Sequence, residues 1–105
     1  DEYVDIISRD MYPEKHNHTD CAEKYEELVA NNSENKLAAI GEIGVIPSVE
    51  QLSQTHVPWC WYRTGGKIFC LCEEWNSYEE LCKMYHSPYA VTLKRWQKES
   101  PLTIV

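Results

Sequence analysis

Three short apolar, β-branched runs alternate along this chain with polar, helix-forming segments, and that alternation constrains the fold more than any other feature. Tyr3-Val4-Asp5-Ile6-Ile7-Ser8 has the composition of a buried strand. It runs on to Tyr12 and is stopped by Pro13, and a polar loop from Glu14 to Thr19 follows. Thr19 or Asp20 then caps a helix in which Cys21, Ala22, Tyr25, Leu28 and Val29 share one face. Glu23, Lys24, Glu26 and Glu27 take the wet face, and Asn31-Asn32-Ser33 ends the helix. Residues 36–41, Lys-Leu-Ala-Ala-Ile-Gly, form a second strand that delivers Glu42-Ile43-Gly44 at its C-terminal end. After Pro47, Ser48-Val49-Glu50-Gln51 has the spacing of a capping box and opens a short helix. Val57 through Tyr62 is a third, Trp-rich strand, closed by Gly65-Gly66. An irregular, Cys-bearing stretch leads to a second capping box, Ser77-Tyr78-Glu79-Glu80, whose helix runs to about His86. Ser87-Pro88 terminates it, and Tyr89 to Leu93 reads as an extended tail leading to Trp96.

Apolar strands separated by helices are expected to be parallel, with right-handed crossovers, in an α/β architecture. Three parallel strands alone leave two unpaired edges and one uncovered apolar face. Such a unit is expected to belong to something larger. The start at Asp1 rather than Met points the same way, to a processed, trimmed or partial chain, and it carries no signal-peptide h-region. A length of 105 residues fits one domain, and 43% hydrophobic content excludes wholesale disorder. The net charge of −7, without a Lys/Arg run, argues against a nucleic-acid partner. No apolar stretch approaches the ~20 residues that span a bilayer, so no membrane partner is expected.

In parallel α/β folds, functional groups gather at the C-terminal ends of the strands. That rule selects Asp10 and Tyr12, then Glu42, then Arg63 with Thr64. A carboxylate among aromatic residues, with a phenol near enough to donate to it, suits nucleophilic attack on an anomeric carbon. The aromatic residues, 4 Trp and 7 Tyr, offer faces that stack on sugar rings. The same pattern also allows Glu42 to be an ordinary strand-end carboxylate paired with Arg9 or Arg63. No metal or cofactor is implied: the five Cys lack CxxC spacing, and Cys70 and Cys72, one residue apart, make awkward zinc ligands. Asn17-His18-Thr19 and Asn31-Asn32-Ser33 fit the glycosylation pattern, a frequent chance match in polar loops. His16 and His18 either reach a cleft rim or are solvated loop residues.

At these residues the chain resembles glycoside hydrolase family 26, the β-mannanases. Asp1 to Tyr12 is similar to the sixth-strand segment of that family, and Leu37 to Gly44 to the seventh strand with its nucleophile. Val57 to Thr64 resembles the Trp-rich eighth strand, and Trp75-Asn76 with Tyr85 to Leu93 the family's closing segment. The resemblance implies a partial TIM (β/α)8 barrel, its last three parallel strands with their helices, over residues 1–98, with 99–105 as a tail. It implies retaining hydrolysis of β-mannan or a related hemicellulose by a secreted enzyme. Glu42 matches the nucleophile, Tyr12 the tyrosine that hydrogen-bonds it, and Asp10 an acidic residue near the substrate. Trp59, Trp61 and Arg63 fall on the substrate-binding strand, and alternation puts Trp59 and Trp61 on one face with Cys60 facing the outer helices. Two departures stand out. The family's acid/base glutamate lies on a fourth strand with no counterpart here, so the isolated chain is expected to be inactive without an N-terminal barrel portion. Gly65 stands where the family usually has a Trp, and it offers no stacking face. The rival readings are a non-catalytic carbohydrate- or protein-binding module using exposed Trp and Tyr, and a small disulfide-braced domain, which the odd cysteine count disfavours.

Overall fold

The computed structural model describes residues 3–32 and 36–99. Among them, β1 (Ile6–Met11), β2 (Leu37–Ile43) and β3 (Tyr62–Thr64) form one parallel sheet in the order β1-β2-β3. The helices are α1 (Ala22–Ala30), α2 (Val49–Thr55), α3 (Lys67–Cys70), α4 (Tyr78–His86) and α5 (Leu93–Glu99). The strand–helix–strand–helix–strand–helix order expected from the sequence is present, with α3 and α5 added.

Strand boundaries shift toward the C-terminus. β1 begins at Ile6 rather than Tyr3 and includes Ser8, Arg9 and Asp10, because only one of its faces is covered. Ile7, Arg9 and Met11 alternate toward α1, whereas Ile6, Ser8 and Asp10 are exposed. β3 starts at Tyr62 rather than Val57. Pro58 has no N–H to give to a ladder, and Trp59 N bonds Val57 O in a local turn. The first donor from this segment to β2 is Cys60 N, 2.8 Å from Ala38 O.

The helix ends follow their polar residues. At α1 the N-cap is Cys21, left-handed at φ 58° and without a side-chain cap bond, rather than Thr19 or Asp20; Asp20 Oδ1 still accepts from Ala22 N and Thr19 Oγ1 from Cys21 N. At its other end the Asn31 and Asn32 side chains donate to the carbonyls of Glu27 and Leu28. Ser48 and Ser77 cap α2 and α4 by accepting from Gln51 N and Glu80 N. Each satisfies one of the donors a helix start leaves unpaired. The extended tail expected over Tyr89 to Leu93 instead gives way to α5. Its Leu93 and Lys94 follow Thr92, whose Oγ1 accepts from Arg95 N. The tail proposed over 99–105 lies, from residue 100 on, outside the described residues, as does Ser33 of the second glycosylation triplet.

The core lies between the sheet and α1. Met11, Cys21, Ile40 and Ile43 are buried together, and Trp59 and Tyr62 pack against them. Burial, and secondarily the neighbouring Asp20, pushes the Cys21 thiol up to about 11. Burial likewise pushes the Tyr62 phenol up to about 12. Arg9 bonds Glu27 of α1 at 2.8 Å, and that guanidinium holds the Glu27 carboxyl below its ordinary value.

β2 carries one extra residue. Arg9 pairs with Ile40 but Asp10 with Glu42, and Ile40 and Ile43 span only Tyr62 to Thr64 on the other side. This bulge keeps Ile40 and Ile43, three residues apart, on the same buried face. It also re-aims Glu42. The mouth of the sheet is built around that displacement.

Candidate active site at the strand ends

Glu42 is half-buried near the C-terminal end of β2, turned to the face opposite α1. The Tyr12 phenol, one residue past β1, donates a hydrogen bond to Glu42 Oε2. A phenol can fill only one acceptor position, so Oε1 stays available to a reacting group. Asp10 lies opposite Glu42 across the ladder. Its Oδ1 sits over Gly41, where an added Cβ would come within 2.7 Å of it, with Ser8 Oγ at 3.2 Å. Gly41 is therefore the residue that lets the Asp10 carboxylate lie down across β2.

The alternative of an ordinary strand-end ion pair fails on geometry. Arg9 points to the other face, where it holds Glu27, and no ion pair joins Glu42 to Arg63 among the described residues. Arg63 follows Tyr62, which packs on the core, and is exposed. Trp61 is half-exposed. With Tyr85 and Tyr89, Trp61 and Arg63 border a groove of about 550 Å³ along the free edge of β3.

Trp59 lines the same groove as Trp61, but it is more tightly held. Its indole packs edge-to-face on Tyr25 of α1 at 5.2 Å, and Nε1 donates to Asp20 O at 3.0 Å. The strict alternation expected of the two indoles needs a continuous strand, and Pro58 prevents one. Trp59 is half-buried, packed against the core on the α1 side. His18 is structural: Nδ1 lies 2.7 Å from Ile46 O. His16 and Asn17 are exposed in the loop after β1.

Sequence reasoning missed Phe69 of α3. Its ring lies where a Cβ on Gly65 would stand, and an added Cβ on Gly44 would meet its Cε1 at 2.9 Å and Tyr12 Cδ1 at 3.1 Å. The space left open by Gly65 is thus filled by an aromatic ring from four residues further on. Phe69 stands 6.0 Å from Tyr12 and 5.1 Å from Trp75, centroid to centroid. The fully buried Asn76 ties the region together. Its Nδ2 donates to Phe69 O at 2.7 Å and Gly44 O at 2.9 Å, and its Oδ1 accepts from Ile46 N at 2.7 Å. The Gly65-Gly66 pair followed by the chain's one Phe was the signal available. No group of three or more His, Cys, Asp or Glu among the described residues is placed to hold a metal ion.

Residues 1–95 match the family described as glycosyl hydrolase family 26. The chain is 32% identical over 97 residues to a mannan endo-1,4-β-mannosidase of Thermothelomyces thermophilus, covering 92% of this chain and 20% of that protein. The crystal structure of the Podospora anserina GH26-CBM35 β-(1,4)-mannanase superposes with a TM-score of 0.83 at 31% identity, over 92% of this chain and 21% of that one. A ruminal GH26 endo-β-1,4-mannanase gives 0.76 at 29% identity, over 99% and 23%. The three parallel strands and their helices are a part of such a TIM barrel. The chain spans about a fifth of the length of these relatives, and it belongs to glycosyl hydrolase family 26.

Proposed function

We propose that this chain supplies the nucleophile side of a retaining endo-β-1,4-mannanase-like active site. Glu42 Oε1 attacks the anomeric carbon of a mannosyl unit, and Tyr12 holds Oε2, so the carboxylate keeps one orientation through the displacement. The bond formed is a glycosyl ester to Glu42, and the bond broken joins C1 to the leaving sugar's oxygen. A retaining site needs a second carboxyl about 5–5.5 Å away to protonate that oxygen. Asp10 is the neighbouring carboxylate within this chain, and we assign it to sugar hydroxyls rather than to proton transfer. Trp61 and Arg63 are assigned to substrate. The acid/base comes from a preceding barrel portion, so residues 1–98 act as the C-terminal part of a catalytic domain, inactive alone and working outside the cell on mannan or a related hemicellulose.

The observation that carries this reading is the Tyr12–Glu42 hydrogen bond at the strand ends. The test is Glu42→Gln in the protein that carries this chain, assayed on β-mannan. A loss of roughly 10⁴-fold in kcat is expected, and undiminished hydrolysis ends the proposal. Tyr12→Phe is expected to cost about 10- to 100-fold in kcat, with KM little changed, because it removes one hydrogen bond to a charged group.

A further inference from the structure

The geometry points to Phe69 as a substrate-contacting, specificity-determining residue: a sugar-stacking ring seated over Gly44 and Gly65 beside the Tyr12–Glu42 pair. This rests on the reading of Glu42 given above. Four observations converge on it. Gly44 and Gly65 follow β2 and β3 at the end of the sheet where Glu42 sits, and both lack the atom that would displace the ring. The ring neighbours Tyr12, whose hydroxyl is already engaged with Glu42. Its backbone carbonyl is fixed to the end of β2 by the fully buried Asn76. Phe69 is half-buried rather than sealed in the core.

A pyranose presents one face of C–H groups that an aromatic ring covers without competing for its hydroxyls. A ring held against the tyrosine that orients the nucleophile is placed to receive that face from the sugar under attack or from the one beside it. α3 is a single turn, too short to be stable by its own hydrogen bonds. Its capping residue Gly66 bonds only through its backbone, O of Gly66 accepting from Phe69 N at 3.0 Å. The turn is held by where Phe69 and Asn76 anchor it, so its position and the ring's are one feature.

The experiment uses the protein that carries this chain, with β-1,4-mannohexaose as the probe. Phe69→Leu keeps the apolar bulk and removes the flat face. Phe69→Tyr keeps the face. In a Glu42→Gln background, calorimetric titration is expected to show about tenfold weaker binding for Phe69→Leu, and binding within about twofold for Phe69→Tyr, on the same scale. Gly65→Ala, which drives the ring from its seat, is expected to match Phe69→Leu. Gly66→Ala, with open space around it, is the control for a change in this turn. Unchanged binding in Phe69→Leu overturns the inference, as does weakened binding that Phe69→Tyr fails to restore. If Glu42→Gln itself retains full hydrolysis, the reading of the nucleophile has failed instead, and the two failures are distinct.

Discussion

The two faces of the sheet are built to different standards. Toward α1, Met11, Cys21, Ile40 and Ile43 are sealed, with Trp59 and Tyr62 completing the cover and Arg9 tied off to Glu27. On the other face the register partners Ile6 and Leu37 are both exposed at the start of the strands. Single exposed apolar residues mean little, but an adjacent pair on a sheet face asks for a cover. Further along the same face the side chains turn polar: Ser8, Asp10, Glu42. The difference separates two jobs. The helix side supplies cohesion from residues of this chain, while the opposite side is a floor with an exposed apolar end and a polar end where the proposed nucleophile sits.

The largest effect on that contrast is expected from cutting into the sealed side. Ile43 is fully buried, and Ile43→Ala in the protein carrying this chain should cost about 2–5 kcal/mol by denaturant unfolding. KM for mannan should stay close to its original value. A stability loss of that size from Leu37→Ala instead would erase the distinction between the faces.

Alkali provides a second probe, because the two groups whose pKa values rise clearly through burial both belong to the sealed side. Cys21 has an ordinary value of 9.0 and a folded value of about 11. Between these limits the folded chain keeps a proton that the unfolded chain releases. Unfolding therefore releases protons there, and stability falls as pH rises. The contribution is complete below pH 9 and is lost through pH 11, at up to about tenfold in the folding equilibrium per pH unit. Tyr62 repeats the pattern one unit higher, from 10.0 to about 12. Melting temperature measured from pH 8 upward should be flat and then decline. A rise above pH 9 would contradict the burial of both groups.

Much of this arrangement was legible in the sequence, and the parts that were not have physical reasons. The order of strands, three of the helices and the meeting of Tyr12 with Glu42 follow from apolar runs, caps and the rule that parallel strands bring their C-terminal ends together. Strand starts slipped because apolar content marks burial on both faces, and β1 is covered on one. α3 escaped because a one-turn helix has no period to read; tertiary contacts of Phe69 and Asn76 set it. α5 escaped because Val91-Thr92 reads as extended and hides the cap before Leu93. Phe69 was invisible at the site because its placement depends on two glycines, one from each of two strand ends, and only the fold brings them together.

The smallest expected effect is also the sharpest comparison, since it changes the same residue type two positions apart. Trp59 has its indole N–H engaged with Asp20 O and its ring against Tyr25. Trp59→Phe keeps most of the apolar bulk but leaves a carbonyl without its donor, at about 1 kcal/mol of stability, and substrate binding should not move. Trp61 is half-exposed and outside the core cluster. Trp61→Leu should leave the melting temperature unchanged and weaken mannohexaose binding by severalfold, the scale of one lost stacking contact. If both variants shift stability and neither shifts binding, the two indoles share one role and Trp61 is packing. If the responses separate as stated, a proline in a strand-like run has divided one aromatic segment between cohesion and recognition.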